Sequence, residues 1–517
     1  MKIRHLHTFI IAVVAVLFVS CGDFLEVSPD NRALVDTDSK ITNLLVSAYP
    51  DQSAWLLCEL SSDNADDNGS TWTTTTALEK QAFTWSDASE DQQDSPQAIW
   101  DGYYHAIASA NQALQAINDL GNPTRLNAQK GEALICRAYC HFVLVNVFCK
   151  SYGANSSADL GIPYMSKTET KVSPHYERGN VADVYSKIDA DIQAALPLID
   201  DQIYSVIKYH FNRKAAYAFA TRFNLFYRNY NKVIEYAQNV LTSDPLSVLR
   251  DWQYGGTLSN NDNFRPDWYI GNDNRATLLD ITTQSLWGRV AGPSFGGSKY
   301  SHNAMIADNE TVSSSGPWGS SGMFYFRSAS YSQIPKVISR KFVEYFEYTD
   351  PVNGIGYPHI VQAEFTTDEA LLCRAEAYIL KKDYDNATKD LATFMTAYSS
   401  AGALMTRTKI NSFYSGIGYY TPTIPTVKKH LNPDFVIETG EQENFIDCVL
   451  HLRRILTIHE GLRWFDVKRY GIELNRRTIE GNTNISVSSD TLKVNDPRRA
   501  IQIPQNVINA GITANPR

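Results

Sequence analysis

Hydrophobic positions recur at helical spacing along much of the chain. Between Ile99 and Ile117, apolar residues return every three or four positions, which predicts a helix with one apolar face. Residues 127–148 are apolar nearly all round, which predicts a helix buried between others. Residues 181–199 predict a further amphipathic helix. The pattern therefore indicates a mainly α protein.

Two later segments share one layout of helix, short turn and helix. In residues 216–241 the turn reads Arg228-Asn229-Tyr230-Asn231, and in residues 370–395 it reads Lys382-Asp383-Tyr384-Asp385. The turn tyrosine follows the start of each segment by the same interval. Such pairs are typical of tetratricopeptide-like repeats, in which paired helices stack to bury a shared core. We expect them to form a helical scaffold from which loops emerge.

Residues 250–335 interrupt this scaffold. They show little helical periodicity and are rich in Gly, Ser, Asn and Asp, yet they hold four of the nine tryptophans. Aromatic rings on polar loops either pin the loop to the protein or form a ligand platform, and exposed loops are where binding residues concentrate. We predict one domain, residues 37–517, with a scaffold at about 99–249 and 366–400 and a loop-rich ligand-binding part at about 61–98 and 250–365.

Residues 1–20 have the pattern of a lipoprotein signal peptide. A positive start precedes an apolar stretch of about a dozen residues, which is too short to span a bilayer as a helix. Ser20-Cys21 resembles a bacterial lipobox, although Phe18 stands where Leu is usual. We predict that Cys21 carries lipid and that residues 21–36 form a polar tether. No other stretch of the sequence is apolar enough to cross a membrane, so acyl chains would be the anchor.

The composition is that of a soluble globular protein. The chain has 517 residues, a formal net charge of −9 and 20% charged residues. Binding to nucleic acid needs clustered Lys and Arg, and the sequence has no such run, so we exclude that partner. The six cysteines other than Cys21 match no disulfide or zinc framework, and we favour buried thiols.

Two patterns invite a chemical role that we do not favour. Asn64-x-Asp66-x-Asn68-Gly69 resembles a calcium loop, but Thr75 stands where a bidentate Glu is needed, so we predict a solvated turn within the polar loop 61–76 and no metal. In residues 460–469, acidic and basic residues fall at helical spacing, which favours an ion-pair network over a catalytic site.

We predict no enzymatic activity. The chain has no His-Glu-x-x-His motif or phosphate loop. An exported glycoside hydrolase stays open as an alternative, because its two carboxylates leave no fixed spacing in a sequence.

A set of short motifs resembles the RagB/SusD family of nutrient-binding outer-membrane lipoproteins. Each motif alone is weak, but the set runs in family order from residue 21 to residue 510. The matching segments are Cys21-Gly22-Asp23-Phe24-Leu25, Gly131-Glu132-Ala133-Leu134-Ile135-Cys136-Arg137-Ala138, Gly161-Ile162-Pro163, Arg374-Ala375-Glu376-Ala377, Glu460 to Arg469, and Ile503-Pro504 with Ile508-Asn509.

The resemblance implies an outer-membrane location, a SusC-like TonB-dependent transporter as partner, and binding of a glycan without catalysis or cofactor. Peptide capture is the alternative within the family. The resemblance does not identify site residues, because the variable loops match no motif.

We choose site residues from composition. Sugar rings present apolar faces to aromatic side chains, and polar groups take the hydroxyls; each aromatic contact contributes about 0.5–1.5 kcal/mol beyond area burial. Trp100 and Trp464 lie on helical patterns, so we expect both in the core. The candidates for ligand binding are Trp72, Trp287, Tyr300, Asn303 and Trp318.

Overall fold

The computed structural model describes residues 35–170, 175–260, 263–481 and 484–517. The predicted signal peptide and Cys21 lie outside these ranges. The α-helices within them are α1 Asp38–Leu45, α2 Trp55–Ser61, α3 Ala77–Phe83, α4 Pro96–Asp119, α5 Asn127–Phe148, α6 Val181–Ala195, α7 Arg213–Phe226, α8 Tyr230–Leu241, α9 Trp252–Thr257, α10 Phe264–Ile270, α11 Trp287–Val290, α12 Ala304–Glu310, α13 Thr367–Leu380, α14 Tyr384–Tyr398, α15 Arg407–Gly416, α16 Glu441–Leu456, α17 Leu462–Arg469 and α18 Gln505–Asn509.

Helix α5 lies at the centre of the scaffold. It packs between α4 and α6, and every residue from Ala128 to Phe148 except Lys130 is buried. Its residues are apolar enough, over a sufficient length, to cross a membrane, which corrects the expectation that no stretch after the signal peptide is, but their burial inside the protein identifies α5 as a core helix. The prediction of a helix enclosed by others is therefore confirmed.

The two predicted helix pairs are α7 with α8 and α13 with α14. Helix α8 also packs against α13, so the pairs stack directly although a long insertion separates them in sequence. Helix α16 also packs against α13. This stacking confirms the mainly α, tetratricopeptide-like architecture.

The turns of the two pairs have the same conformation. Arg228 and Lys382 each take a left-handed backbone, with φ of 64° and 62°. The next residue in each turn, Asn229 or Asp383, caps the second helix by accepting a hydrogen bond from a backbone N–H three residues on. The turn motif that the sequence repeats is therefore a helix end followed by a helix start.

Arg222 joins the first pair to the second. Its guanidinium donates to Glu364 at 2.6 Å and to both carboxylate oxygens of Glu369, at 2.8 and 2.6 Å. It also lies 4.2 Å from the centre of the Phe365 ring. All three charged groups are buried, so the two helix pairs share an ion-pair contact inside the protein.

Nine β-strands accompany the helices of the described ranges. They form the sheets β2-β7-β6, β3-β1-β8-β9 and β4-β5; β7 is antiparallel to both neighbours, and β1 is antiparallel to β3 but parallel to β8. The strands are β1 Asp66–Asp67, β2 Thr277–Gln284, β3 Tyr300–Ser301, β4 Ala329–Ser330, β5 Val337–Ile338, β6 Tyr345–Asp350, β7 Ile355–Thr366, β8 Leu474–Glu480 and β9 Asn484–Leu492.

The insertion at 250–335 has more regular structure than its sequence suggests. It contains four short helices, α9 to α12, and strands that reach both larger sheets. The polar stretch after α14, which the sequence suggests is a loop to about residue 434, contains α15.

Two expectations about the core are confirmed. Trp100 and Trp464 are 7% and 0% exposed. The six cysteines of the described chain are free and buried, and burial raises the pKa of the Cys58 thiol to about 12. These thiols are part of the hydrophobic core.

Candidate ligand-binding site

Trp287 and Trp318 lie inside the protein. Trp287 is 3% exposed, and its indole N–H donates to the His459 carbonyl oxygen at 2.7 Å. Trp318 is 0% exposed and lies between Phe324 and His451, with ring centres 5.7 and 4.9 Å away. In this conformation both rings pin loops to the body, and neither presents a face to solvent.

Tyr300 and Asn303 hold local structure together. The Tyr300 ring stacks on Phe83, with centres 4.3 Å apart, and is 4% exposed. The Asn303 side chain caps α12 by accepting from the Ile306 N–H at 3.1 Å, and it donates to Asn68 at 3.0 Å. A direct role of either residue in ligand binding stays a prediction.

Trp72 is partly exposed and lies on one of two neighbouring loops. Residues 69–76 follow β1 and residues 292–299 precede β3, and these two strands pair with each other. The Lys299 N–H donates to the Thr73 carbonyl oxygen at 3.2 Å, which continues the pairing into the loops. We call residues 69–76 and 292–299 the paired-loop surface.

The second loop of this surface carries Phe295, which is 67% exposed. A Cβ on the next residue, Gly296, would lie 3.0 Å from the Thr75 hydroxyl, so the two loops touch beside the exposed ring. Gly297 has φ of +71°, a conformation that favours glycine. The loop therefore turns sharply just after Phe295.

The charges next to the paired-loop surface are neutralised. Lys299 donates to the Asp67 carboxylate at 2.6 Å and to the Gly69 carbonyl oxygen at 2.9 Å. Arg289, in α11, donates to Glu344 at 2.8 Å. What the surface itself offers is aromatic rings and the hydroxyls of a run of threonines at 71 and 73–76.

A second aromatic surface lies on the β6–β7 hairpin. Phe346 and Tyr348 are 43% and 58% exposed, with ring centres 4.9 Å apart. A Cβ on Gly356 of the facing strand would lie 2.7 Å from the Phe346 ring, so the absent side chain leaves room for that ring. Glu344 stands just before this strand, and its contact with Arg289 connects the hairpin to α11.

Sequence reasoning missed Phe295, Phe346 and Tyr348. Phe295 lies in Gly292-Pro293-Ser294-Phe295-Gly296-Gly297, a setting as polar and glycine-flanked as those of Trp287 and Trp318. The same criterion could therefore have found it. Alternation of aromatic and polar residues at 346–349 is the signal for the hairpin.

The first half of the polar loop 61–76 is buried, which corrects the expectation of a solvated turn. Asp66 is 3% exposed and accepts from Arg477 at 2.9 and 2.8 Å. Glu310 is 1% exposed and binds the same arginine at 2.9 Å. The buried ionic cluster consists of Asp63, Asp66, Glu310, Lys429, Arg454, Arg463 and Arg477.

The cluster holds Glu310 in its ionised form. Burial raises the pKa of Glu310, but Lys429, Arg477 and Arg454 lower it by more than burial raises it, so the pKa is about 2. No group of three or more His, Cys, Asp or Glu side chains suited to a metal ion occurs in the ranges that the structure describes. The acidic side chains near residue 66 thus bind cationic side chains.

The charged segment 460–469 forms ion pairs, as predicted. Its pairing differs from the expected helical pattern, since only Arg469 and Asp466, 2.9 Å apart, pair within the segment. Four further pairs reach other elements: Glu460 with Lys341 at 2.6 Å, Arg463 with Asp63 at 2.7 Å, Asp466 with Arg453 at 3.1 Å, and Arg469 with Glu376.

A cleft of about 1080 Å³ opens elsewhere, along α4. Trp100, Tyr104 and Ile107 line it from that helix, and Val507 and Ile512 line it from the C-terminal segment. Its walls are largely apolar, and the Asn111 amide in it already donates to the Met165 carbonyl oxygen at 2.9 Å.

Part of the chain matches a known protein family. Residues 23–225 match the SusD-like_3 family model, described as "Starch-binding associating with outer membrane". No curated protein matches the chain.

Solved structures share the fold over nearly the whole chain. A SusD superfamily protein from Bacteroides thetaiotaomicron is 16% identical, with a TM-score of 0.63, over 92% of this chain and 98% of its own. A putative sugar binding protein from Bacteroides vulgatus is 17% identical, with a TM-score of 0.65, over 94% and 99%. A SusD-like carbohydrate binding protein from the same species is 15% identical, with a TM-score of 0.60, over 91% and 96%.

Residues 23–225 thus match the SusD-like family model, and the solved structures share the fold over nearly the whole chain. Both findings agree with the resemblance seen in the short motifs.

Proposed function

We propose that the protein is a cell-surface lipoprotein that binds a nutrient glycan at the paired-loop surface and delivers it to a TonB-dependent transporter of the outer membrane. The observation that carries the proposal is the pairing of two loops that each present an aromatic ring, Trp72 and Phe295, beside threonine hydroxyls. Aromatic rings bind the apolar faces of sugars, and hydroxyls accept and donate at their edges.

Neighbouring structures support the same ligand class. Two of the proteins that share the fold are described as sugar or carbohydrate binding, and the family description refers to starch. The match of residues 23–225 to the family model also supports an outer-membrane location and a SusC-like partner. Neutralised charges at Lys299 and Arg289 leave the binding to aromatic and hydroxyl groups.

Calorimetry with a panel of oligosaccharides and polysaccharides tests glycan binding. We expect Trp72→Ala and Phe295→Ala each to weaken it. Phe264→Ala is the matched control, because Phe264 is 60% exposed but lies on α10. If no glycan binds, or if all three variants bind as the unchanged protein does, the site assignment is wrong.

Location, partner and lack of catalysis need their own measurements. Cys21→Ala should release the protein from the membrane fraction, and a transporter should co-purify with the tagged protein. Incubation with a bound glycan should release no reducing sugar; release would establish a hydrolase.

A further inference from the structure

The ammonium group of Lys336 lies inside a ring of backbone carbonyls. Its Nζ is 2.7 Å from the Val290 oxygen, 3.2 Å from Gly292, 3.0 Å from Ser294 and 2.7 Å from Gly296. The residue is 2% exposed. Four acceptors thus share the three N–H donors of one buried cation.

The carbonyls of this ring that follow residue 290 accept no hydrogen bond of a helix or sheet. A buried carbonyl without a partner costs about 1–3 kcal/mol, so a loop that turns its oxygens inward needs a donor there. An ammonium is compact and donates in three directions, whereas a guanidinium is planar. Lysine therefore suits this ring.

Lys336 is itself held in place from the other side. It directly precedes β5, and the N–H of the next residue, Val337, donates to the His302 carbonyl oxygen at 2.8 Å. His302 follows β3, the strand that ends the loop 292–299. The Lys336 ammonium thus links the first half of the loop 292–299 to β5, which is bonded to the residue that follows β3.

Phe295 lies between two residues of the ring. The carbonyls on either side of it, those of Ser294 and Gly296, both accept from Lys336. The Gly296 position also touches Thr75 of the Trp72 loop. The backbone that carries the exposed ring is therefore bonded on both sides while the ring itself stays free.

We propose that Lys336 is the positioning residue of the paired-loop surface: its ammonium gathers residues 290–296 and holds Phe295 beside the Trp72 loop before ligand arrives. This inference rests on the proposed glycan binding at that surface. A loop ordered in advance does not lose conformational entropy on binding, so the affinity is higher. Lys336 contacts no ligand in this arrangement and acts through Phe295.

The test compares variants at Lys336 with a matched lysine. Lys336→Met keeps length and removes charge, and Lys336→Gln keeps part of the donor capacity should Lys336→Met fail to fold. Lys208→Met is the control, because Lys208 likewise donates to two loop carbonyls, of Gly271 and Asn274, at 2.7 and 2.6 Å. Amide hydrogen exchange and glycan calorimetry are measured on each.

We expect amides of residues 290–299 to exchange at least about tenfold faster in Lys336→Met, with scaffold helices unchanged, since about 1.4 kcal/mol of local stability is tenfold. Glycan affinity should fall about tenfold or more, with a smaller loss in Lys336→Gln. Lys208→Met should leave both quantities unchanged at this surface.

A second readout separates the charge from mere packing. In Lys336→Ala, added ethylammonium should restore slow exchange of residues 290–299, whereas tetramethylammonium, which has no N–H, should not. Lack of any rescue would overturn the role of the ammonium in the ring.

Different outcomes distinguish this inference from the proposed function. If exchange rises in folded Lys336→Met but affinity does not change, the positioning role is wrong. Unchanged exchange at residues 290–299 overturns it as well. If the unchanged protein binds no glycan, the proposed function fails, and the exchange and rescue results still decide what Lys336 does for the loop.

Discussion

Replacing Trp287 and replacing Phe295 should have opposite consequences. Both are aromatic residues in glycine-flanked, polar sequence, but Trp287 is 3% exposed and Phe295 is 67% exposed. We expect Trp287→Ala to lower the stability of the protein, whereas Phe295→Ala should leave the fold intact and weaken ligand binding.

The sizes of the two effects follow from burial. Truncating a buried Trp costs about 3–5 kcal/mol, and the His459 carbonyl left without its donor adds about 1 kcal/mol. Full burial of a Phe contributes about 1.5–3 kcal/mol, so the third of Phe295 that is covered accounts for about 0.5–1 kcal/mol of stability. Losing one aromatic contact of about 0.5–1.5 kcal/mol weakens binding about two- to twelvefold.

Urea unfolding followed by fluorescence gives the stability, and calorimetry under conditions where both variants are folded gives the affinity. The reasoning is refuted if Trp287→Ala is as stable as the unchanged protein within about 1 kcal/mol, or if Phe295→Ala loses several kcal/mol. Phe264→Ala controls for the general effect of removing an exposed Phe.

Three further predictions concern the interior. Folding lowers the Glu310 pKa from its ordinary value of 4.5 to about 2, so the Glu310 carboxylate stabilises the fold by about 3 kcal/mol above pH 4.5, and this is lost as the pH falls towards 2. Urea unfolding at a series of pH values should show the unfolding free energy fall over this range. A Glu310→Gln variant whose unfolding free energy falls equally with pH would contradict the prediction. Arg222→Met should lower the unfolding free energy by about 3–5 kcal/mol, because Glu364 and Glu369 stay buried without their cation; a loss below about 1 kcal/mol in the same assay would refute this. The buried thiols of the folded protein should resist a thiol reagent until the chain is unfolded in urea, and rapid labelling of the native protein would show that they are accessible.

The scaffold could be predicted because its signals are local. The apolar character of residues 127–148 and the repeated turns at Arg228 and Lys382 lie within single elements. Strand β7 escaped prediction because Gly356 and Pro358 break its pattern.

The candidate site was less predictable because the burial of a loop aromatic depends on distant partners. Trp287 is covered through His459, 172 residues away, and Trp318 packs on His451. Asp66 in the polar loop meets Arg477, 411 residues away. Composition around each residue is the same whether such a partner exists or not, so it could not separate Phe295 from the two buried tryptophans.

Buried cations explain how irregular loops keep a defined shape here. Lys336 serves four carbonyls of one loop. Arg476 serves the carbonyls of residues 60–62 and 83, where α2 and α3 end, and Arg499 serves those of residues 467, 472, 492 and 493. Each cation supplies several donors to carbonyls at the ends of elements or in loops, where an unmet buried carbonyl is costly. The backbone of such a loop is held from the inside by one side chain, so residues on its outer face, such as Phe295, can vary without loss of loop shape. A surface built in this way can change its ligand through its outward side chains while the scaffold stays the same.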